Sequence, residues 1–276
     1  MRNNIHTVRL QTSVAAPVAG IRSARVGLFV QILVLCTPLT ILMSYAVITG
    51  GTQGIGKAIA ERFLQEGFSI AICARTARDL EFCLAEWTVA YPTATVLTFQ
   101  GDLGVVADTK KFGAFVLKNF PQVDVLVNNA GTYFPGFLAE EPEGHLEKLM
   151  EVNLYSAYHL TRTLLPAMKE RGSGHIFNMC SIASLHAYKN GGAYSITKYA
   201  LQGFSDNLRM ELMEHNIKVT AFMPGATWTN SWSSSGLPES RFMSVNDISD
   251  MVWAAWSLSP SANVETVVMR PIKGDL

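Results

Sequence analysis

The run Thr49-Gly50-Gly51-Thr52-Gln53-Gly54-Ile55-Gly56 leaves this chain few choices of fold. It follows an apolar stretch, Tyr45-Ala-Val-Ile-Thr49, and opens an amphipathic one, Lys57-Ala-Ile-Ala-Glu-Arg-Phe-Leu64. Strand, glycine turn and helix in that order begin a parallel βαβ unit. The glycines let the backbone approach a pyrophosphate, and the helix start offers free N–H groups and the positive end of a dipole. A plain tight corner between strand and helix would also use glycine, and the spacing here is G-x-x-x-G-x-G rather than G-x-G-x-x-G.

From Ser44 onward, strand and helix patterns alternate. The pattern predicts strands at 45–49, 68–74, 94–100, 123–128, 174–180, 217–223 and 265–269. Helices are expected at 55–66, 76–90, 104–119, 143–170, 191–214 and 245–258. Most of the strands are near-continuous apolar runs, as strands covered on both faces are. Alternation of this kind makes a parallel sheet with helices on both sides. The serine-rich segment from Thr229 to Ser244 shows no periodicity.

A second signature lies far downstream in Ala-Tyr194-Ser-Ile-Thr-Lys198, with Ser181 ending the apolar run His175-Ile-Phe-Asn-Met-Cys-Ser181. On a helix, Tyr194 and Lys198 share a face one turn apart. A neighbouring cation favours the ionised phenol, so Lys198 is expected to lower the pKa of Tyr194. Ser181, at the end of a buried strand, would hold a carbonyl oxygen within reach of that phenol. A Tyr four residues before a Lys is common on helix surfaces, and it is the glycine turn upstream that gives this pair its weight.

With both signatures in place, the chain resembles the short-chain dehydrogenase/reductase family, in its small single-domain T-G-x-x-x-G-x-G branch. The likeness runs from about Ser44 to the C-terminus. Further landmarks fall in order: Gly101-Asp102-Leu103, Asn128-Asn129-Ala130-Gly131, Asn153, Pro224-Gly225 and Thr229. The resemblance implies an α/β, Rossmann-type doubly wound parallel sheet of about seven strands with helices on both faces. It also implies an NADP-binding catalytic domain over residues 43–276 that transfers hydride to a small-molecule carbonyl. Tyr194 would be general acid, Lys198 would bind the nicotinamide ribose, and Asn153 would position a water in a relay to Lys198.

The same resemblance places Gly50, Thr52, Gln53, Gly54, Ile55 and Gly56 around the cofactor phosphates. Asp102 and Leu103 fall beside the adenine, Asn129 to Gly131 along the ribose, and Pro224, Gly225 and Thr229 beside the nicotinamide. The second strand ends Ile72-Cys73-Ala74-Arg75-Thr76, with alanine where an acid would bind the ribose hydroxyls of NAD. Arg75 and Thr76 suit a 2′-phosphate instead, which selects NADP(H). Tyr133, His186, Tyr188, Trp228, Trp232 and Phe242 are expected near the substrate. The tail and Pro224-Gly-Ala-Thr-Trp-Thr229 are similar to bacterial sepiapterin-reductase-like members, and the core is similar to 3-oxoacyl-carrier-protein reductases. A non-catalytic NADP-sensing protein is the alternative from another class. A homodimer or homotetramer is implied, packed through the helices at 143–170 and 191–214.

Composition narrows the partners. The formal net charge is zero and no long basic run occurs, which argues against nucleic acid. The four cysteines, Cys36, Cys73, Cys83 and Cys180, lack zinc spacing, and the six histidines form no metal motif. A reducing, cytoplasmic setting fits them. Residues 1–42 stand apart, with Arg2, Arg9, Arg22 and Arg25 ahead of an apolar stretch at 26–43. They read as an extension from an upstream start, with a hydrophobic targeting or anchor segment as the alternative. The stretch contains Gln31 and Pro38 and is short for a membrane span.

Overall fold

Strand β1, Tyr45–Thr49, enters the middle of a seven-stranded sheet of order β3-β2-β1-β4-β5-β6-β7, in which every pairing is parallel. The structure is a computed structural model and describes residues 43–233 and 235–276. The readings of residues 1–42 as an extension, targeting or anchor segment lie outside the described residues. The remaining strands are β2 (Ser69–Ala74), β3 (Val96–Gln100), β4 (Val125–Asn128), β5 (Gly174–Met179), β6 (Ile217–Pro224) and β7 (Thr266–Met269). The helices are α1 (Gly54–Gln65), α2 (Ala77–Ala90), α3 (Val106–Asn119), α4 (His145–Met150), α5 (Ser156–Arg171), α6 (Gly192–Leu212) and α7 (Val245–Trp256).

Side chains of the central strands alternate between two cores, as the pleat requires. Ala46 and Ile48 of β1 point with Ile70, Ile72, Val125 and Val127 towards Phe63 of α1, Trp87 of α2 and Val252 of α7. Val47, Ala71 and Leu126 point the other way, towards Phe112 of α3, Leu160 and Leu164 of α5, and Leu208 of α6. Helices thus cover both faces, and the central strands β1, β2 and β4 are near-continuous apolar runs because neither of their faces sees water.

The strand order reverses between β1 and β4. The chain first builds outward to β3, then returns to lay β4 beside β1 in the register Ala46↔Val125. Loops leaving the C-terminal ends of these two strands diverge to opposite faces and open a crevice, the usual ligand site of such sheets.

One expected element differs. The long helix over 143–170 is broken by a π turn, Glu151–Tyr155, between α4 and α5. A π turn inserts one extra residue into a helix and commonly marks a functional position. Here it carries Asn153. The segment from Thr229 to Ser244 also gains order, holding short 3-10 turns at Asn230–Trp232 and Glu239–Arg241. No described helix is long and apolar enough to cross a membrane.

On β5, His175 is fully buried and stacked on Phe177, with ring centroids 3.9 Å apart. The Thr220 hydroxyl donates to the Val264 carbonyl at 2.6 Å, so it accepts from His175 Nε2 at 2.7 Å and fixes the proton there. Nδ1 is buried without a partner. Burial, reinforced by Lys218, depresses the imidazole pKa to about 3. The unfolded chain therefore takes up a proton below about pH 6.5 that the folded chain refuses, so stability falls as pH falls through this window. Urea unfolding at pH 7.5 and pH 5 should show this group costing about 2 kcal/mol over the interval. His175→Leu should lose that component of the slope, and an unchanged slope would refute it.

Candidate active site

The glycine turn is locked to the reversal point by polar contacts. Thr49 Oγ1 accepts from the backbone N–H groups of Asn129 at 2.9 Å and Ala130 at 2.8 Å. The Asn129 side-chain amide donates back to the carbonyls of Thr49 and Gly50. Gly56 is required by close approach, since a Cβ there would lie 2.2 Å from the Gly50 carbonyl oxygen and 2.4 Å from Asn129 Nδ2. Gly56 therefore packs α1 onto the turn. Gln53 stands at the N-cap of α1 with extended backbone and no side-chain cap, and the first turn carries no acid. That helix start keeps unpaired N–H groups and an uncancelled dipole, which suits a phosphate.

Along the same edge, Arg75 and Thr76 follow β2 and are exposed, and the Arg75 carbonyl accepts from Gln100. A second cation is here that the sequence pattern did not single out. Arg78, in the first turn of α2, lines a cleft of about 370 Å³ together with Thr52, Gln53, Lys57 and Asn230. Its sequence signal was slight: a second arginine three residues after the first. Lys57 is engaged with Glu61 and Glu86. Asp102 caps its own turn by accepting from Gly104 N–H at 2.9 Å, and Leu103 is buried behind it.

The reactive groups gather where β5 ends and α6 begins. Ser181, nearly buried, caps a 3-10 turn over Ile182–Ser184, its oxygen accepting from Ala183 N–H at 3.2 Å. Ser184 Oγ donates to the Lys198 carbonyl at 2.8 Å, which ties that turn to α6. Lys198 is buried, its Nζ donating to the Met179 carbonyl at 2.8 Å and lying 5.7 Å from the Tyr194 ring centre. Tyr133 packs edge-on against Tyr194 with ring centroids 4.8 Å apart.

The charge states correct one expectation. Burial pushes the Tyr194 phenol up to about 12, while hydrogen bonding with Ser181 pulls the other way. Lys198 does not lower it in the protein alone. Burial has itself brought the ammonium down to about 8, and the ammonium is turned to Met179. At neutral pH the phenol is a protonated donor.

Asn153 is buried in the π turn with its amide wholly engaged. Oδ1 accepts from Thr132 N–H at 2.7 Å, and Nδ2 donates to the Thr132 carbonyl and to Thr197 Oγ1, each at 3.0 Å. Thr197 donates in turn to the Tyr194 carbonyl. Asn153 thus clamps the loop after β4 to the middle of the Tyr194–Lys198 turn. Gly131 lies beside both, a Cβ there falling 3.4 Å from Asn153 Oδ1 and 3.6 Å from Lys198 Nζ.

The far wall follows β6. Gly225 N–H donates to the Met269 carbonyl at 2.8 Å, holding the Pro224-Gly225 bend on β7. The Thr229 methyl lies against Gly54, where a Cβ would meet it at 3.2 Å. Next to it Asn230 Nδ2 donates to Gln53 Oε1 at 3.0 Å, so the far wall reaches the glycine turn itself. The expected aromatic residues separate. Tyr133 stands at Tyr194, and burial, then the neighbouring Tyr133, pushes the Tyr188 phenol up, whereas Phe242 is buried between Trp228 and Trp232 as packing, and His186 is exposed.

A glycine turn at a sheet reversal, with a hydroxyl, a phenol and a buried ammonium along the same edge, defines the scaffold of a dinucleotide-dependent oxidoreductase. The chain belongs to the short chain dehydrogenase family, whose sequence profile matches residues 44–239. It is 30% identical over 243 residues to a sepiapterin reductase of Chlorobaculum tepidum, spanning 83% of this chain and 97% of that one. It is 38% identical over 189 residues to dehydrogenase/reductase SDR family member 7B of Mus musculus, spanning 67% of this chain and 58% of the mouse protein. Among solved structures, an alcohol dehydrogenase of Thermococcus sibiricus complexed with 5-hydroxy-NADP superposes with a TM-score of 0.77 at 27% identity, covering 83% and 97% of the two chains. L-sorbose reductase of Gluconobacter frateurii, complexed with NADPH and L-sorbose, also scores 0.77 at 27% identity, with coverages of 83% and 95%.

Because Gly56 has no room for a methyl group, Gly56→Ala should cost about 1–3 kcal/mol through overpacking. Thermal unfolding read by circular dichroism would show it as a drop of several degrees. A Tm equal to that of the parent chain would contradict the packing role.

Proposed function

We propose that this chain is an NADPH-dependent reductase of small-molecule carbonyl compounds, with residues 43–276 as its catalytic domain and Tyr194 as general acid. The observation that carries the reading is the meeting of Ser181, Tyr194 and the buried Lys198 at the sheet edge that also bears the uncapped start of α1. The residues fit the cofactor: a helix start without cap or acid for the phosphates, and Arg75 with Thr76 where an acid would select NAD. Arg78 adds a second cation on that side.

Gly50 and Thr52 to Gly56 would hold the phosphates, Arg75, Thr76 and Arg78 the 2′-phosphate, Asp102 and Leu103 the adenine, and Asn129 to Gly131 the ribose. Pro224, Gly225 and Thr229 would bound the nicotinamide, and Lys198 with Tyr194 its ribose. Bound NADPH supplies the hydride. Ser181 donates a hydrogen bond to the substrate oxygen and fixes it beside the phenol. Tyr194, protonated at neutral pH, gives its proton to that oxygen as negative charge builds there. With the cofactor bound, the Lys198 ammonium, 5.7 Å from the Tyr194 ring centre, would swing from Met179 to favour the phenolate left behind. Asn153, through its hold on Thr132 and Thr197, shapes the water path by which a proton returns towards Lys198.

Tyr133 and Tyr188 beside Tyr194 favour a compact or planar carbonyl substrate over a thin acyl chain, and the sepiapterin reductase relative supports the same class. Exposed Tyr155, Tyr158 and Tyr199 on the π turn, α5 and α6 support self-association through that face into a dimer or tetramer. A cytoplasmic setting fits the described thiols, Cys73, Cys83 and Cys180, all buried and unpaired.

The test is cofactor consumption by the full chain with sepiapterin, diketones, aromatic aldehydes and an acetoacetyl thioester. NADPH should be used in preference to NADH, and Tyr194→Phe should keep cofactor binding while losing at least ~10²-fold in turnover. Arg75→Ala should weaken NADPH by roughly tenfold and leave NADH unchanged. A Phe variant of near-normal rate would end the general-acid assignment, and turnover confined to the thioester would point to an acyl reductase.

A further inference from the structure

Helix α6 carries both Tyr194 and Lys198, yet nothing in its own sequence caps it. Gly191 stands at the N-cap without a side chain to offer, and the first turn contains no acid. A helix start of this kind leaves N–H groups to be satisfied from elsewhere. The partner comes from the loop between β4 and α4. Glu141 Oε1 accepts from the Ala193 N–H at 2.9 Å, across 52 residues of sequence. Ala193 is the residue immediately before Tyr194.

The surroundings are built around that carboxylate. Its side chain is 9% exposed. Gly192 takes a left-handed backbone, and a Cβ on it would fall 2.0 Å from Glu141 Oε1 and 2.6 Å from the Gly136 carbonyl oxygen. Any larger residue would push the carboxylate off the helix. Gly136 in the same loop donates its N–H to the Asn190 carbonyl at 3.0 Å, and a Cβ on it would meet Glu141 Cγ at 3.1 Å. His145 of α4 lies on the other side, Nδ1 3.9 Å from Glu141 Oε1, with Phe134 against its ring. This loop also supplies Tyr133, which packs edge-on against Tyr194.

We infer that Glu141 is a positioning residue for catalysis: it caps the catalytic helix from outside and sets Tyr194 over Ser181, coupling the loop at 132–144 to the phenol. The inference rests on the reading of Tyr194 as general acid. A negative charge on unpaired N–H groups at a helix start is a strong, directional hold. Small displacements of an acid from its reacting oxygen are expensive in rate, a shift of ~1 Å costing up to ~10²-fold. Glu141 belongs to neither of the sequence motifs that define the site, and it meets the second only through the backbone of Ala193, which is why its role is invisible in them.

The test compares Glu141→Ala and Glu141→Gln with Tyr194→Phe in the full chain, reading kcat, KM, NADPH affinity by fluorescence titration, and Tm. Glu141→Ala should lower kcat at least ~10-fold with NADPH affinity within about twofold. Glu141→Gln, which keeps an acceptor for the Ala193 N–H, should recover most of kcat. If Glu141→Ala does not fold, Glu141→Asp, one methylene too short to reach, carries the same expectation. An inactive Tyr194→Phe alongside an alanine variant that merely melts earlier at unchanged kcat would overturn the inference and leave the general-acid reading standing. Equal losses in the alanine and glutamine variants would also overturn it. A fully active Tyr194→Phe would remove the reading beneath it.

Discussion

A lysine ammonium buried beneath a sheet edge must be met by an acceptor, and Lys198 finds the Met179 carbonyl at 2.8 Å. That bond reaches from the middle of α6 to the last residue of β5, so it fixes how far along the sheet the helix lies. With the helix placed, Tyr194 stands one turn before Lys198 and next to Ser181, which leaves the same strand two residues later. Ser184 repeats the tie by donating to the Lys198 carbonyl. The desolvation of the ammonium, which lowers it to about 8, is a cost carried by the fold. The arrangement holds a cation 5.7 Å from the ring centre of the Tyr194 phenol.

Around this bond the site is assembled from three directions. From β1 and β4 come the glycine turn and the Asn129 loop, latched to each other through Thr49 and Gly56. From the π turn, Asn153 clamps Thr132 to Thr197 with every amide hydrogen committed. From β6 and beyond, Thr229 and Asn230 reach back to Gly54 and Gln53. Each contact is long-range in sequence, and together they hold loops that would otherwise be the mobile part of the sheet edge.

This explains what the sequence made legible. Buried parallel strands are continuous apolar runs, so strands such as 45–49 and 68–74 lie within a residue of those observed. The glycine turn and the Ser/Tyr/Lys spacing are local patterns with local causes, and they survive translation into structure. The π turn at Glu151–Tyr155 was not legible, because one extra residue in an unbroken helical pattern carries no glycine or proline to announce it. Asn153 was named, but its partners lie 21 and 44 residues away. Spacing also put Lys198 on the face of Tyr194 without saying where its ammonium would turn, so the sign of the phenol's shift in the protein alone was missed. Arg78 and Glu141 are placed by tertiary neighbours, one at the glycine turn and one at Ala193, and no single-sequence pattern marks either.

As proposed, this edge would bring a carbonyl and a nicotinamide together for direct hydride transfer, with the protein supplying the proton. The most direct measurement is the fate of label from NADPH deuterated at C4, with a diketone or sepiapterin as acceptor and the full chain as catalyst. Deuterium is expected at the new carbinol carbon from one of the two C4 diastereomers, and none at that carbon when the label is in the water. Carbinol hydrogen drawn from solvent, or no reduction of any acceptor while NADPH stays intact, would contradict it.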